Sequence, residues 1–313
     1  MRLGFAVKVL GGGGLPSHDA RRWQSGPHLR VSLERLAAIL EYMDAEDLRM
    51  YRMPSALAPY ASHPELTQFH RQVDECALEL AAVGARAREL GIRLSSHPGQ
   101  YTVLNSEHEA VRDNAVAELE VQAALLDGLG QGPEAVVVLH VGGAAGGRRE
   151  AADRFEAGFE RLSDRARARL VLENDDRIFG LADVLSLSEK LGVPVVWDIL
   201  HHHCHDPERI PDRQALELSL ATWPAGVMPK IHFSSPRLDI RERRRTTGRK
   251  VERTPVLPDP RRHADLIDPI AFEQFLRHTA SGLSFDVMLE AKAKDLAVLR
   301  LRGQLANRGL SER

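Results

Sequence analysis

Residues 135–141 read Ala-Val-Val-Val-Leu-His-Val. The run is short, apolar and rich in β-branched side chains, and turn-forming pairs bound it, Gly-Pro at 132–133 and Gly-Gly at 142–143. Such a run predicts a buried β-strand. A histidine, His140, stands at its carboxyl end, where the strand gives way to a loop.

The same pattern recurs along the chain, and stretches of helical periodicity separate its copies. Eight strand candidates lie at residues 2–10, 47–51, 92–96, 135–141, 170–173, 193–198, 228–233 and 284–290. The helical stretches that follow them cover residues 29–42, 64–90, 108–129, 148–168, 181–191, 213–221, 269–280 and 295–305. Eight βα units in about 250 to 300 residues predict a (β/α)8 TIM barrel, a fold of the α/β class.

A doubly wound open sheet is the alternative architecture. It usually has fewer strands and a glycine fingerprint after the first one. Residues 11–14 are four glycines that follow the first strand candidate, but they lack the G-x-G-x-x-G spacing before a helix, and we interpret them as a flexible loop. Gly91 and Gly192 stand where left-handed residues would end two of the helices.

The composition is that of an ordinary globular protein, with 43% apolar and 27% charged residues among 313. We expect one domain over residues 1–313. No stretch approaches the roughly 20 apolar residues of a membrane span, and the chain does not begin like a signal peptide, so we expect a cytoplasmic protein with no membrane partner. Its two cysteines, Cys76 and Cys204, argue against a disulfide framework and favour a reducing compartment.

The net charge of −2 argues against a surface that is basic throughout, but one segment is strongly basic. Residues 237–262 contain ten Lys or Arg residues and four Asp or Glu residues. They belong to an insertion at about 234–263 that has no periodicity, and a loop of that length is usually functional or disordered. A charge run of this kind is either a solvated surface or a site for nucleic acid.

Candidate metal ligands stand at the carboxyl ends of six consecutive strand candidates. In a TIM barrel these ends meet at the mouth that carries the active site. Three further histidines, His63, His201 and His263, could reach the same mouth. The six are His97, His140, Glu173, Asp198, His232 and Glu290.

Six such groups would not be buried together without a cation to pair with them. The mixture of imidazoles and carboxylates suits Mn²⁺, Zn²⁺ or Fe²⁺ better than Ca²⁺ or Mg²⁺. The number of ligands predicts two or three ions, bridged by Glu173 or Glu290, and a site of that kind is suited to phosphodiester hydrolysis.

Lys230 lies two residues before His232, so on a strand both side chains face the barrel interior. An ammonium group there would repel the cations. It is therefore neutral, or carboxylated into a ligand, or paired with a carboxylate of the site. We interpret the neighbouring residues His202, His203, Cys204 and His205 as loop residues.

Six segments together resemble the motifs of the ultraviolet damage endonuclease family, over nearly the whole chain. Leu-Glu-Asn-Asp-Asp and Lys-Ile-His-Phe-Ser-Ser are specific in combination. The segments are Ser-Ser-His-Pro-Gly-Gln-Tyr at 95–101, Leu-His-Val-Gly-Gly at 139–143, Leu-Glu-Asn-Asp-Asp at 172–176, Trp-Asp-Ile-Leu-His-His at 197–202, Lys-Ile-His-Phe-Ser-Ser at 230–235 and Met-Leu-Glu-Ala-Lys at 288–292.

The resemblance implies an ATP-independent, manganese-dependent DNA repair endonuclease, related in architecture to endonuclease IV. Such an enzyme cuts the phosphodiester 5′ to cyclobutane dimers, (6-4) photoproducts and abasic sites in double-stranded DNA. Gln100 and Tyr101 would probe the lesion, and Lys230 would lie among the metals. The implied ligands are His63, His97, His140, Glu173, Asp198, His201, His232, His263 and Glu290.

The sequence departs from this family in two places. The chain begins Leu-Gly-Phe at residues 3–5 where the family usually has Leu-Gly-Tyr, so a hydroxyl contact is missing there. The insertion before His263 is also longer than usual.

We hypothesise that these residues act in a metal-assisted hydrolysis of the phosphodiester. Lys230, Glu173 and His232 are the predicted catalytic residues, at metals that activate water and hold the scissile phosphate. The predicted backbone-binding arginines are Arg241, Arg243, Arg244 and Arg245. A barrel sugar isomerase or epimerase is the rival enzyme, although it has no evident use for the basic insertion. A metal-dependent DNA-binding module is the non-enzymatic alternative.

Overall fold

Eight parallel strands form the centre of the fold. The computed structural model of the chain describes residues 1–247 and 250–310. The strands are β1 (Leu3–Ala6), β2 (Met50–Arg52), β3 (Arg93–Ser95), β4 (Val137–His140), β5 (Leu170–Glu173), β6 (Val195–Val196), β7 (Lys230–Phe233) and, after a hairpin of β8 (Arg241–Thr247) and β9 (Lys250–Val256), β10 (Asp286–Leu289). Seven parallel strands fall inside the predicted ranges, and β2 ends one residue later than predicted.

The eight strands follow one another around a ring. Five form a sheet in the order β3-β2-β1-β10-β7, and three form a sheet in the order β4-β5-β6. Two isolated parallel bridges join these sheets, Ser96 to Val137 between β3 and β4 and Asp198 to His232 between β6 and β7. Each strand therefore has a neighbour on both sides, and the predicted TIM barrel is confirmed.

Helices surround the ring, as the periodicity predicts. They are α1 (Leu29–Ala45), α2 (Gln72–Glu75), α3 (Ala77–Glu89), α4 (Glu109–Gly128), α5 (Arg148–Glu160), α6 (Asp164–Arg169), α7 (Leu181–Leu191), α8 (Ile199–Cys204), α9 (Asp212–Ala221), α10 (Pro269–Gln274), which continues as a π-helical turn (Phe275–Thr279), and α11 (Lys294–Ala306). Gly91 and Gly192 are left-handed at helix ends, with φ of 64° and 68°. No helix among the described residues is long and apolar enough to cross a membrane.

Three predictions of local structure were wrong. The stretch 64–90 is not one helix, because α2 and α3 are separated at Cys76, which leaves helical geometry. The stretch 148–168 breaks where the Ser163 side chain accepts a hydrogen bond from the backbone N–H of Ala166 and starts α6. His202, His203 and Cys204, predicted as loop residues, are helical, because the Asp198 carboxylate caps α8 by accepting a bond from the His201 amide at 2.8 Å, whereas His205 lies beyond the end of the helix.

Successive side chains of a strand pack in two different clusters of buried apolar residues. On β5, Leu170 and Leu172 pack in the large core with the helices, whereas Val171 packs in a second cluster. Because successive side chains of a strand point to opposite faces, Glu173 shares the face of Val171 and points into the mouth of the barrel.

The insertion forms a β-hairpin, so the prediction of a loop without secondary structure was wrong. β8 and β9 are antiparallel, with Arg243 opposite Thr254. The chain enters and leaves the hairpin beside the barrel mouth, where a bridge joins Pro236 to His263. This bridge brings His263, at the far end of the insertion, back to the strand that carries His232.

Candidate metal centre

Glu173 lies at the centre of the predicted cluster. Its Oε2 lies 2.9 Å from Nε2 of His97 and 3.4 Å from Nε2 of His140. Its Oε1 lies 2.8 Å from Nδ1 of His232. The Glu173 side chain is 1% exposed, so these contacts are screened little by solvent.

The ligand atoms fall into two groups that share Glu173. One group is His97, His140 and Glu173, and the other is Glu173, Asp198, His232 and Glu290. Within each group the ligand atoms all lie within 4.8 Å of one another. A carboxylate that belongs to both groups can bridge two cations, as in paired-metal hydrolases.

Several polar atoms of the cluster are buried and have no hydrogen-bond partner within residues 1–247 and 250–310. They include Nδ1 of His140, Oδ2 of Asp198, Nε2 of His232 and Nζ of Lys230. A buried polar atom without a partner costs free energy, and a cation would satisfy the lone pairs of the imidazoles and the carboxylate. The residues therefore fit divalent transition metals, whose preferred ligands are these nitrogen and oxygen atoms.

The charges of the cluster are strongly coupled. Burial opposes the ionised form of Glu173, but the imidazoles of His232 and His140 outweigh it, so the pKa of Glu173 lies well below its usual value. Burial raises the pKa of Asp198. Burial alone would lower the pKa of His201, but the charges of Asp198 and Glu173 outweigh it and raise that pKa to about 9.

Two of the three outer histidines lie beside the cluster. Nδ1 of His201 is 3.7 Å from Oε1 of Glu173, and Nε2 of His263 is 3.6 Å from Oε2 of Glu290. The structure does not bring His63 to them. His63 makes its contacts within its own loop, where its Nδ1 accepts a bond from the Glu65 amide and its ring lies 6.3 Å from that of Tyr60.

Lys230 is fully buried beneath the cluster. Its Nζ has no hydrogen-bond partner among the described residues. Burial, with the nearby charges of Arg93 and Arg52, lowers the pKa of this amine well below its usual value. The side chain thus lies where an uncharged form is favoured.

The predicted DNA-contacting residues lie around the mouth. Tyr101 is 82% exposed on the loop after β3, next to Gln100, which together with His97 and His140 lines a cavity of about 400 Å³. Arg241, Arg243 and Arg245 are exposed on β8, whereas the side chain of Arg244 lies outside the described residues.

Two site residues were missed by the sequence reasoning. Arg52, at the end of β2, pairs with Oε1 of Glu290. Asn174 holds the backbone of Asp198 by two hydrogen bonds of 2.9 and 3.0 Å, and its carbonyl accepts a bond from Nδ1 of His201. Arg52 directly follows the predicted second strand. Its position at a strand end, where the other candidate site residues lie, could have identified it. Asn174 directly follows Glu173.

Comparison with known proteins gives a consistent result. A family model described as UV-endonuclease UvdE matches residues 29–311. A UV DNA damage endonuclease from Bacillus cereus (strain G9842) is 32% identical over 281 residues, which cover 89% of this chain and 82% of the relative. The crystal structure of SacUVDE has a TM-score of 0.82 and 30% identity, with 99% of each chain covered.

A wider likeness concerns the fold alone. A putative xylose isomerase from Rhodospirillum rubrum has a TM-score of 0.58 with 15% identity, and the likeness covers all of both chains. At that identity the likeness shows a shared barrel and nothing about the reaction.

Proposed function

Because the chain belongs to the UV-endonuclease UvdE family, and is therefore an endonuclease of UV-damage DNA repair, we propose that it hydrolyses the phosphodiester 5′ to a UV photoproduct with the help of divalent metal ions. Cyclobutane dimers and (6-4) photoproducts are the proposed lesions, and abasic sites are further substrates. The substrate is damaged double-stranded DNA. Membership of an endonuclease family favours this reaction over the sugar isomerase and over a non-enzymatic binding module.

One observation above all supports this mechanism. Two groups of buried nitrogen and oxygen ligands meet at Glu173, in the mouth of the barrel. Divalent cations there, two or three and of the Mn²⁺ type, would supply the Lewis acidity for phosphodiester hydrolysis near neutral pH. His97 and His140 would hold one side of the centre, and Asp198, His232 and Glu290 the other.

The outer histidines complete the proposed ligand set. His201 and His263 lie close enough to Glu173 and Glu290 to join it after small side-chain movements. His63 would join it only after a larger change in its loop. Asn174 fixes the backbone of Asp198 and the ring of His201, and this geometry holds both ligands in place.

Lys230 has a proposed role at the base of the centre. Its amine is buried, unpaired and shifted towards the neutral form. A neutral amine does not repel cations, and its nitrogen can bond to the carbon of carbon dioxide with loss of one N–H proton to water, which gives a carbamate. We therefore propose a neutral or carboxylated Lys230. Intact-mass measurement of the native protein tests the second form.

The remaining predicted residues would bind DNA. Arg241, Arg243 and Arg245 of the exposed hairpin would bind phosphates of the DNA backbone, and we propose the same role for Arg244 of that strand. Gln100 and Tyr101 would wedge into a base stack that the lesion has weakened.

A plasmid assay tests the proposal. Purified protein with Mn²⁺ should convert UV-irradiated supercoiled plasmid to the nicked form and spare untreated plasmid, and chelation should stop the reaction. End-labelled duplexes with one defined photoproduct then locate the cut on its 5′ side. Equal nicking of irradiated and untreated plasmid would contradict the function, and a cut on the 3′ side would contradict the regiochemistry.

A further inference from the structure

Asp295, in the first turn of α11, holds the loop after β1 in place at the barrel mouth. This carboxylate is fully buried and accepts hydrogen bonds from the amides of Leu10 and Gly11, at 2.7 and 2.9 Å, and from the hydroxyl of Tyr42 at 2.7 Å. A side chain at Gly11 would collide with Tyr42 and Asp295, which explains the glycine. These bonds fix the loop after β1 to the first turn of α11 and to α1.

Lys8 lies on the loop after β1 and Lys294 begins α11, and each is accompanied by strained backbone. Lys294 has a φ of 54°, and Val7, which precedes Lys8, has a φ of 67°. Positive φ is rare for residues with a side chain, above all for a β-branched one. Val7 is fixed at the centre of a γ-turn, because Lys8 N donates to Ala6 O at 2.8 Å and the Tyr51 hydroxyl donates to Val7 O at 2.7 Å.

The strain coincides with an excess of positive charge. Lys294 is half-buried, and burial and the charges of Arg52 and Lys8 lower the pKa of its ammonium. In the described part of the chain, Lys8, Lys292 and Lys294 have no carboxylate within ion-pairing distance. Strained backbone usually persists where function requires it. Lys8 and Lys292 are exposed and Lys294 is half-buried, so a phosphate can reach all three cations and supply the negative charge that they lack.

Strand order makes these cations part of a continuous track. Around the ring come β7, β10, β1, β2 and β3, so their loops succeed one another along the mouth. Lys292 and Lys294 thus lie after the basic hairpin, Lys8 comes next, and Gln100 and Tyr101 follow beyond β2. The amide of Lys292 bonds to Ala264 O at 3.1 Å, which ties the track to the stem of the hairpin.

We propose that Lys8, Lys292 and Lys294, the basic arc, form a binding site for backbone phosphates of the DNA between the hairpin and the Gln100-Tyr101 loop. The inference rests on the proposed function, because it takes DNA as the substrate. Lys8 and Lys294 each neutralise a phosphate, and the rigid connection through Asp295 keeps the distance between these two contacts constant. The arc contacts no base, so it binds damaged and intact strands alike.

The double substitution Lys8→Gln with Lys294→Gln tests the arc. Binding to intact and to UV-irradiated duplex is measured by fluorescence anisotropy between about 50 and about 200 mM salt. The slope of log K against log salt should become shallower by about two, one for each lost phosphate contact, and affinity should fall equally for both duplexes. Lys190→Gln, on α7 and paired with Glu156, is the matched control and should change neither value.

Two further variants separate charge from backbone strain. Lys294→Gly keeps the left-handed backbone without the charge and should lose about one unit of slope. Lys8→Arg with Lys294→Arg keeps the charges and should keep the slope. Unchanged thermal midpoints and metal content confirm intact folding.

The outcomes separate the arc from the function. An unchanged slope in the Gln double variant overturns the arc, and so does a loss confined to irradiated duplex, which would indicate lesion reading. If the parent protein fails to nick irradiated plasmid, the proposed function fails, whereas a reduced slope would still support the arc as a phosphate site.

Discussion

Glu173 belongs to both ligand groups, and this distinguishes it from the other acidic residues of the mouth. Oε2 contacts His97 and His140, and Oε1 contacts His232. Loss of the negative charge therefore weakens both ligand groups at once, whereas loss of Asp198 or Glu290 weakens one.

The substitution Glu173→Gln should abolish metal binding and nicking together. Glutamine keeps the shape but removes the charge, so we expect bound metal to fall and nicking of irradiated plasmid to drop by more than about 100-fold. Elemental analysis and the plasmid assay measure the two effects. Glu34→Gln, on the exposed face of α1, is the control. A metal-loaded, active Glu173→Gln protein would remove the basis of the proposed mechanism.

Tyr101 gives a separate test, because its side chain is 82% exposed and contributes little to the core. Tyr101→Ala should leave the thermal midpoint unchanged and lower the preference for damaged over intact duplex by about tenfold, the range expected for one lost stacking contact. Tyr101→Phe keeps the ring and should keep the preference. Competition binding with the two duplexes measures the ratio, and an unchanged ratio in the alanine variant would rule out the wedge.

Sequence reasoning found the imidazoles and carboxylates that the fold brings together more completely than the residues around them. Imidazoles and carboxylates at six strand ends form a visible pattern, so the two ligand groups could be predicted. Arg52 and Asn174 are neither imidazoles nor carboxylates, so the pattern of strand-end ligands does not include them. Their importance appears only when the fold brings them to Glu290 and Asp198. His63 was assigned by motif, and its present loop conformation keeps it away from the cluster.

At the scale of elements, the apolar strands were predictable and the charged hairpin was not. The apolar run Leu-Val-Leu predicts strand β5. Strand β8 contains four arginines among its seven residues, so its sequence shows no alternation of apolar and polar side chains. Helix α8 was missed for a related reason, since consecutive histidines carry no amphipathic period. Its start depends on the cap by Asp198, a residue that sequence reasoning had used only as a ligand.

The hairpin should be a separable DNA-binding element. Replacement of residues 241–256 by a short Gly-Ser linker keeps the Pro236–His263 bridge at its stem. We expect unchanged thermal stability, weaker binding to damaged and intact duplex alike, and a shallower salt dependence. Arg241→Gln with Arg243→Gln and Arg245→Gln keeps the hairpin and should reproduce the loss. Anisotropy titrations measure this loss of affinity. Full affinity in the deletion variant would show that the hairpin is a solvated surface and does not bind DNA.

At the scale of the molecule, the ligand groups coincide with the weakest places of the barrel. The sheet is continuous except at two seams, β3 to β4 and β6 to β7, each joined by one isolated bridge. His97 and His140 lie on the two sides of the first seam, and Asp198 and His232 on the two sides of the second. Cations held by these groups would therefore join the strands at both seams.

Metal removal should thus loosen the barrel along its seams and leave the continuous sheet largely protected. A cation at about 100 times its dissociation constant stabilises the folded state by about 2.7 kcal/mol, so chelation should lower the thermal midpoint measurably. The seam amides, Ser96, Val138 and His232, should then exchange hydrogen faster, while Leu172 and Val287, inside continuous ladders, change less. Hydrogen exchange with and without Mn²⁺ compares them. Uniform acceleration across all strands would show that the metal stabilises the whole fold and has no special role at the seams.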